Sequence, residues 1–289
     1  MQIKPDGDES QSPLAPGLYV TATPIGNARD VTLRALDALG ACDAIAAEDT
    51  RVTAKLLAIH GIAKPLFAYN DHNAAGARPK LLTRLREGAR IALVSDAGTP
   101  LISDPGYKLV REALAEGIAV HALPGPSALL AALALAGLPT DRFLFAGFLP
   151  SKSGARQTAL LEVRDVRATL IFFESPHRLA ESLADLAQVL GPREAAVGRE
   201  LTKLHEELRR GNLASLASAY AGEALPKGEI TLVVSPPQET APDLARADGL
   251  LDKALQFMPV RAATDLLAEA LDLPRHALYE RALARRKGT

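Results

Sequence analysis

A loop rich in glycine and proline, V-S-D-A-G-T-P-L-I-S-D-P-G, most constrains what this chain can fold into, and it runs from Val94 to Gly106. The apolar run Arg90–Val94 at its start predicts a short buried strand, and the spacing of apolar residues across 107–116 predicts a helix after it. We expect Asp104 to cap that helix and Pro105 to be its first residue. In α/β proteins this order of strand, loop and helix presents a site at the carboxyl end of the sheet.

Several residues within this loop suit the binding of a ligand. Gly98 permits close approach of the backbone, while Pro100 and Pro105 stiffen the loop. Asp96 stands at the end of the strand, where a carboxylate can accept a hydrogen bond from a ribose hydroxyl or pair with a cationic ligand. The same residues would also suit a purely structural loop with two capping aspartates, and this stretch alone does not separate the two interpretations.

The succession of strand, polar cluster and helix repeats along the first half of the chain. Strands are predicted at residues 17–23, 43–47, 66–69, 90–94 and 118–123. Asp30 is expected to cap the first helix, and a later helix is expected around Lys80 to Glu87. Alternation with short loops indicates an open, largely parallel sheet. The polar clusters that follow the strands should then collect along one edge, which is the expected site face.

The run Pro124-Gly125-Pro126-Ser127 interrupts this pattern and predicts a domain junction. Beyond it, strands at 143–148, 168–173, 195–197 and 230–235 indicate a mixed α/β domain, and three short helices follow at 243–256, 260–271 and 275–285. The last two helices resemble a helix-turn-helix in outline, although a packing or dimerisation bundle would have the same pattern. We therefore predict a disordered tail over 1–16, α/β domains over 17–123 and 124–236, and a helical accessory segment over 243–289.

Composition excludes several classes of protein. Lys+Arg total 33 and Asp+Glu total 34, so no global charge indicates a polyanionic partner, although a local basic groove remains compatible. The single cysteine, Cys42, excludes disulfides and cysteine-based zinc sites and suits a reducing compartment. The polar N-terminus lacks a signal-peptide core, and the longest apolar run, 128–138, is too short to span a bilayer. We expect a soluble, cytoplasmic protein that does not contact membranes.

Familiar catalytic motifs are missing from the sequence. It has no Walker A motif, no G-x-G-x-x-G after the first strand, no G-x-S-x-G elbow and no histidine spacing typical of a metal site. Four polar clusters at predicted strand ends remain, at residues 48–51, 70–73, 174–178 and 199–203. Each cluster by itself can be explained by helix caps and surface charges. Together, their carboxylates, histidines and cations suit a site that binds an anionic substrate and moves a proton.

Eight motifs in order along the chain resemble the tetrapyrrole-methylase superfamily. They are T-P-I-G-N (23–27), A-E-D-T-R (47–51), Y-N-D-H-N (69–73), the loop 94–106, L-P-G-P-S-A (123–128), F-F-E-S-P-H-R (172–178), G-R-E-L-T-K (198–203) and K-G-E-I-T-L-V-V (227–234). The E-D-T-R, N-D-H-N, E-S-P-H-R and R-E-L-T-K elements resemble the branch that methylates a cytidine 2′-hydroxyl in the 16S RNA of the small ribosomal subunit. They do not resemble the corrin and haem-precursor methylases.

This resemblance implies two α/β domains with a cleft between them, a folded S-adenosylmethionine in that cleft, and a homodimer. Carried over position by position, the implied cofactor contacts are Pro24, Asp96, Gly98, Thr99, Ser127, Ala128, Phe173, Gly228 and Glu229. Most of them lie in the loops that the strand pattern had already singled out. The implied partner is 16S rRNA in the small ribosomal subunit.

Methyl transfer to a ribose 2′-oxygen requires removal of a proton, which a nearby base can assist. The candidates for this general base are His72, Asp71, Glu48 and Glu200, and neither the residues nor the resemblance chooses among them. The candidate RNA contacts are Arg51, Arg178, Arg199 and Lys203, because cations at strand ends face the cleft. Two other functions remain open: C-methylation of a tetrapyrrole precursor, and a non-catalytic role as an RNA-binding factor in ribosome assembly.

Overall fold

The computed structural model describes residues 14–225, 227–238, 244–271 and 273–286. Most of the predicted tail, the predicted helix start at Asp243 and the turn residue Asp272 lie outside the described residues. The chain divides into two compact units, Met1–Pro237 and Gln238–Thr289. Among the described residues, no helix combines the length and the apolarity needed to cross a bilayer.

Five parallel strands form the first sheet of the larger unit, in the order β3-β2-β4-β1-β5. The strands are β1 (Gly17–Thr21), β2 (Ala44–Ala47), β3 (Leu66–Ala68), β4 (Arg90–Val94) and β5 (Val120–Leu123). The connecting helices are α1 (Leu33–Ala41), α2 (Thr50–Ile59), α3 (Ala74–Arg86) and α4 (Tyr107–Ala115). The predicted open parallel sheet is confirmed.

Alternate residues of β4 belong to two different hydrophobic cores. Ile91 and Leu93 pack in the cluster that includes α3 and α4, while Ala92 and Val94 pack in the cluster that includes α1 and α2. Successive side chains of a strand point to opposite faces, and both faces of this sheet are covered by helices. This burial explains why the strand reads as one continuous apolar run.

The order of the strands creates a crevice between β1 and β4. From β1 the chain continues towards β2, whereas from β4 it continues towards β5 on the other side of the sheet. A crevice at such a switch point is where open α/β sheets bind ligands. The loops that follow these two strands are joined by a pair of backbone hydrogen bonds between Thr23 and Gly98, each with an N–O distance of 2.9 Å.

The second sheet is mixed, with the strand order β6-β7-β10-β8-β9. Its strands are β6 (Phe143–Phe148), β7 (Thr169–Glu174), β8 (Glu194–Arg199), β9 (Glu207–Asn212) and β10 (Ile230–Val234). Its helices are α5 (Ala128–Ala136), α6 (Ser153–Val163), α7 (Leu179–Leu190) and α8 (Leu213–Ala221). Strands β6 and β7 are parallel and the remaining pairs are antiparallel, so the predicted mixed α/β half is confirmed.

Three expected helix starts are wrong. Asp30 lies in a short 3₁₀ turn, and the hydroxyl of Thr32 caps α1 by accepting a hydrogen bond from the Ala35 N–H. Helix α4 begins at Tyr107 after Gly106, so Asp104 is not its cap and Pro105 is not its first residue. Positive φ angles of 66° at Ser103 and 131° at Gly106 keep this segment irregular. Helix α3 begins at Ala74, a turn and a half before the expected start.

The smaller unit contains three helices, as predicted: α9 (Ala245–Phe257), α10 (Val260–Leu271) and α11 (Arg275–Arg286). They enclose a core that includes Leu251, Ala263, Leu267 and Leu278. Arg285 of α11 donates to Asp252 of α9 over 2.9 Å, so part of the basic charge near the end of the chain is paired within this unit.

Candidate active site

A cavity of about 380 Å³ lies between the two sheets of the larger unit. This volume is within the range typical of small-molecule sites. Eight of the nine predicted cofactor contacts line it, namely Asp96, Gly98, Thr99, Ser127, Ala128, Phe173, Gly228 and Glu229. The ninth, Pro24, is not among the lining residues, although its neighbour Ile25 is.

The loop after β4 forms one wall of this cavity and is held by contacts to the rest of the first sheet. Its Gly98 adopts a φ angle of +78°, which an L side chain rarely adopts, and a Cβ added there would lie 3.5 Å from the Ile25 side chain. The Thr23 hydroxyl donates to the carbonyl of Ser95 over 3.1 Å, and the Thr99 hydroxyl donates to the carbonyl of Pro126 over 3.3 Å. Hydrogen bonds at Ser95, Gly98 and Thr99 therefore position the first part of this loop.

Three carboxylates on this side line the cavity: Glu48, Asp96 and Asp104. Two hydrogen bonds join Asp96 to the Glu48–Asp49 segment: the Asp96 carboxylate accepts from the backbone N–H of Asp49 over 2.9 Å, and the Glu48 carboxylate accepts from the backbone N–H of Asp96 over 3.3 Å. Burial raises the pKa of all three carboxyls above their usual values, and repulsion from nearby acids raises it further, with Arg51 partly opposing the effect at Asp96. This wall is therefore acidic and partly shielded from solvent.

The opposite wall comes from the second sheet and includes an aromatic cluster beside polar residues. Phe173 packs edge-on against Phe145, with ring centroids 4.8 Å apart, and tilted against Phe148 at 5.6 Å. Below them the turn at Gly228 and Glu229 lines the cavity just before β10. An aromatic cluster on one wall and three carboxylates on the other suit a ligand that has both a flat apolar part and a positive charge.

Of the four predicted bases, Glu48 lines the cavity. Asp71 and His72 are exposed in the turn after β3, and Glu200 lies behind the turn at Gly228. The Asn70 side chain donates to the carbonyl of Glu48 over 3.3 Å, which connects the N-D-H-N cluster to the cavity through its first residue. The geometry thus favours Glu48 among the four, and its catalytic role remains a prediction.

The four predicted RNA contacts differ in their surroundings. The Arg51 side chain is 85 % exposed and pairs with Asp49. Arg178 pairs over 2.8 Å with Glu174, whose side chain is fully buried. Arg199 pairs with Glu207 over 2.9 Å, and Lys203 pairs with both Glu200 and Glu229. Three of these cations therefore lie within ion pairs of the second sheet, and their contact with RNA stays a prediction.

The sequence did not predict four other residues that line the cavity: Asp104, Phe148, Glu174 and Ser175. Asp104 precedes a proline and a helix, a pattern that equally predicts a cap, so its role was assigned wrongly. Glu174 and Ser175 belong to the polar cluster at 174–178, from which the sequence predicts only Arg178 as a site residue. Phe148 ends an edge strand and has a 56 % exposed side chain, and no pattern distinguishes it from a surface phenylalanine.

Comparison with known proteins shows which family the chain belongs to. Residues 17–217 match the model of the tetrapyrrole (corrin/porphyrin) methylases, and residues 241–286 match the model of the RsmI C-terminal HTH domain. The chain belongs to the tetrapyrrole methylase family. It is 53 % identical over 272 residues to the ribosomal RNA small subunit methyltransferase I of Mesorhizobium japonicum. The aligned residues cover 94 % of this chain and 92 % of that protein.

Further similar proteins agree with this assignment to the tetrapyrrole methylase family. The ribosomal RNA small subunit methyltransferase I of Escherichia coli O157:H7 is 48 % identical over 92 % of this chain and 94 % of that protein. Among solved structures, a diphthine synthase aligns over 75 % of this chain and 89 % of that one, with a TM-score of 0.60 at 15 % identity. The uroporphyrin-III C-methyltransferase of Thermus thermophilus complexed with S-adenyl homocysteine aligns over 75 % and 96 %, with a TM-score of 0.53 at 19 % identity.

Family membership confirms the predicted fold class and the predicted class of enzyme, a methyltransferase that uses S-adenosylmethionine. The cavity fits this cofactor. Repulsion from acids adds to the desolvation of Glu48 and Asp104, and no described lysine or arginine lowers the pKa of either carboxyl. A cationic ligand would offset both effects. The described residues contain no group of three or more His, Cys, Asp or Glu side chains that could hold a metal ion.

Proposed function

We propose that this chain transfers a methyl group from S-adenosylmethionine to the 2′-hydroxyl of a cytidine in 16S rRNA. The observation that carries the proposal is its similarity, over more than nine tenths of its length, to proteins named ribosomal RNA small subunit methyltransferase I. The motifs E-D-T-R, N-D-H-N, E-S-P-H-R and R-E-L-T-K support the choice of the cytidine 2′-hydroxyl. They also argue against a tetrapyrrole precursor as the substrate.

Residues that line the cavity bind and orient the cofactor in this reaction. When bound, the cofactor supplies a methyl group activated by a positively charged sulfur. Asp96, Gly98, Thr99, Ser127 and Gly228 hold and orient it, together with the other predicted contacts. Most of the rate enhancement then comes from positioning, because two reactants held in the right geometry no longer lose freedom when they react.

Glu48 accepts the proton of the ribose hydroxyl in this proposal. Its carboxylate lines the cavity, and burial raises its pKa above that of an ordinary glutamate. A base whose pKa lies closer to neutrality accepts a proton more readily while it still remains ionised at the working pH. Asp71, His72 and Glu200 lie outside the lining of the cavity, so Glu48 takes precedence over them in this role.

The partner of this enzyme is 16S rRNA in the small ribosomal subunit, and the enzyme acts in the cytoplasm as a homodimer. Arg51 supplies a phosphate contact, because its exposed guanidinium lies three residues after Glu48 in the chain. Large exposed apolar side chains on α4 and α5, including Tyr107, Leu114 and Leu130, support a second copy as the partner of those helices.

Methyl transfer to small subunits from a strain that lacks this protein tests the proposed function. The purified chain is incubated with these subunits and radiolabelled cofactor, and the RNA is digested and analysed by nucleoside mass spectrometry. We expect one 2′-O-methylated cytidine, and subunits from the parent strain serve as the premethylated control. Label in a uroporphyrinoid instead of RNA would establish the precursor methylase. A chain that binds RNA and no cofactor would establish the assembly factor.

A further inference from the structure

The loop that follows β8, residues 200–206, contains the last part of the R-E-L-T-K motif and adopts an unusual backbone. Glu200 has a φ angle of +50° and Thr202 a φ angle of +66°, although neither is glycine. A left-handed conformation at such residues costs free energy, and it persists only where surrounding contacts determine it. We call this loop the strut, and its contacts on both sides show what those determinants are.

On one side the strut holds the turn at Gly228 and Glu229. The backbone N–H of Glu200 donates to the carbonyl of Glu229 over 3.0 Å, and the N–H of Glu229 donates back to the Glu200 carboxylate over 3.0 Å. Gly228 has a φ angle of +101°, which favours glycine, and a Cβ there would lie 2.3 Å from the carboxyl carbon of Glu200 and displace that side chain. Because Gly228 and Glu229 line the cavity, the Glu200 side chain supports the cavity wall from behind.

Lys203 completes this contact from within the strut. Its ammonium group donates to Glu200 over 2.8 Å and to Glu229 over 3.0 Å. Burial alone would raise the pKa of Glu200, yet the hydrogen bonds from Lys203 and from the Glu229 N–H bring it below its usual value. A carboxylate in this state is a weak base, and an ammonium group shared by two carboxylates has little charge left for a phosphate.

On its other side the strut touches the loop that follows β1. The backbone N–H of Asn27 donates to the hydroxyl of Thr202 over 3.2 Å. A Cβ at Gly26 would lie 2.3 Å from Cγ of Lys203 and 2.8 Å from the Thr202 hydroxyl. This loop belongs to the first sheet and carries Ile25, which lines the cavity. The strut is therefore packed between two segments that border the same cavity, one from each sheet.

We propose that Glu200 and Lys203 are positioning residues for the cofactor, which hold the Gly228–Glu229 turn at a fixed distance from the β1 loop. In this arrangement Glu200 is not the general base and Lys203 does not bind RNA phosphate. The proposal rests on the proposed function only in taking the cavity as the site of the cofactor. It assigns to the R-E-L-T-K motif the task of joining the two walls.

Calorimetry with S-adenosylhomocysteine tests the proposal on the full chain, using Glu200→Ala, Lys203→Met and the double variant. We expect each single variant to weaken binding by about tenfold, in keeping with the loss of a charged hydrogen bond. The double variant should also lose about tenfold and not a hundredfold, because both side chains act through the same turn. Glu200→Gln should recover part of the affinity, since its amide oxygen can still accept from the Glu229 N–H. Lys227→Met, at an exposed lysine beside the same turn, is the matched control and should bind as wild type does.

Two further measurements separate positioning from the other roles. At saturating cofactor, the pH profile of single-turnover methyl transfer should keep its acidic limb in Glu200→Ala, and the affinity of Lys203→Met for a 16S rRNA fragment should change by less than about twofold. Unchanged binding of S-adenosylhomocysteine with loss of the acidic limb would make Glu200 the base. Unchanged cofactor binding with weaker RNA binding would make Lys203 an RNA contact. Additive losses in the double variant would overturn the shared support.

Failure of the proposal can be told apart from failure of the proposed function. Binding of S-adenosylhomocysteine is measured without any RNA, so the calorimetric result stands whichever molecule is methylated. Variants that fail to fold would show a changed circular dichroism spectrum. For that case Thr202→Val provides a milder test, because it removes only the acceptor of the Asn27 N–H. It should weaken cofactor binding by a smaller factor, and an unchanged affinity would overturn the role of the strut.

Discussion

The two sheets of the larger unit carry carboxylates in different electrostatic states. On the side of the first sheet, burial raises the pKa of Glu48, Asp96 and Asp104, and repulsion from neighbouring acids raises it further. Around the second sheet, hydrogen bonds from Arg209 and Arg199 lower the pKa of Glu207, and Lys203 does the same for Glu200 against the effect of burial. The acids around the second sheet are hydrogen-bonded to cations, whereas the cavity-lining carboxylates of the first sheet have no such bond within the described part of the chain, and Arg51 only partly offsets the raised pKa of Asp96.

This difference indicates where ligands act and where the scaffold is fixed. A carboxylate paired with an arginine or lysine has its charge compensated before any ligand arrives, so it contributes to structure. Carboxylates that are desolvated and close to one another are relieved only when a cation binds or when one of them takes a proton. We therefore expect the residues that bind the ligand and accept the proton on the side of the first sheet, and structural ion pairs around the second sheet.

The largest effect should follow from Glu48→Gln, which keeps the size of the side chain and removes its ability to accept a proton. We expect single-turnover methyl transfer to fall by about 10²- to 10⁴-fold, the usual contribution of a general base. Binding of S-adenosylhomocysteine should change little, and Glu87→Gln, at an exposed glutamate, is the control. A rate within a few-fold of wild type would show that Glu48 does not accept the proton.

Next in size, Asp96→Ala should weaken cofactor binding by about 10- to 100-fold, as expected for a lost charge-assisted hydrogen bond. Asp96 lines the cavity, and its carboxylate also accepts from the Asp49 N–H, so the substitution removes a ligand contact and loosens the Glu48–Asp49 segment. Asp96→Asn should restore part of the affinity, because the amide oxygen can still accept from Asp49. Equal calorimetric affinities for Asp96→Ala and wild type would remove Asp96 from the cofactor site.

The contrast between apolar burial and paired charges also explains how much of the fold could be predicted from the sequence. The strands Arg90–Val94 and Phe143–Phe148 are predicted with their observed bounds, because both are apolar runs between turn-forming segments. Strand β9 was missed because it is a charged edge strand, and α6 because one of its buried residues is Arg156, paired with Asp185 over 2.6 Å. Periodicity shows apolar burial, and it cannot show a buried ion pair.

The site was predictable to the extent that it lies in loops after strands. The resemblance supplied the cofactor contacts, and eight of nine line one cavity. The strut could not be predicted, because Lys203 and Glu229 are 26 residues apart and belong to segments on either side of β9 and α8. A motif such as R-E-L-T-K therefore indicated the place correctly, while the pairing of its charges became visible only in the fold.

A smaller effect concerns pH. The base must be ionised to accept a proton, so the rate should rise with pH through the pKa of Glu48 and level off above it. Because that pKa is raised, the acidic limb should lie above the value of about 4.3 for an ordinary glutamate. Asp104→Asn removes a repelling charge and should move the limb to lower pH. Asp71→Asn, which removes a weaker repulsion, should move it less. If the acidic limb lies at the same pH in Asp104→Asn as in wild type, the charge of Asp104 does not raise the pKa of the base.

The smallest effect should come from Arg51→Ala. This variant tests whether an exposed cation on the side of the first sheet binds RNA phosphate, unlike the paired cations on the side of the second sheet. Arg51 is 85 % exposed, and its ion pair with Asp49 is open to solvent, where such pairs are weak and are readily exchanged for a phosphate. We expect RNA affinity to fall a few-fold and the slope of log K against log salt to become shallower by about one. Arg199→Ala should change that slope less, because Glu207 already compensates the charge of Arg199. Filter binding at several salt concentrations measures both slopes. Equal changes in the two variants would mean that pairing within the protein does not decide which cations meet RNA.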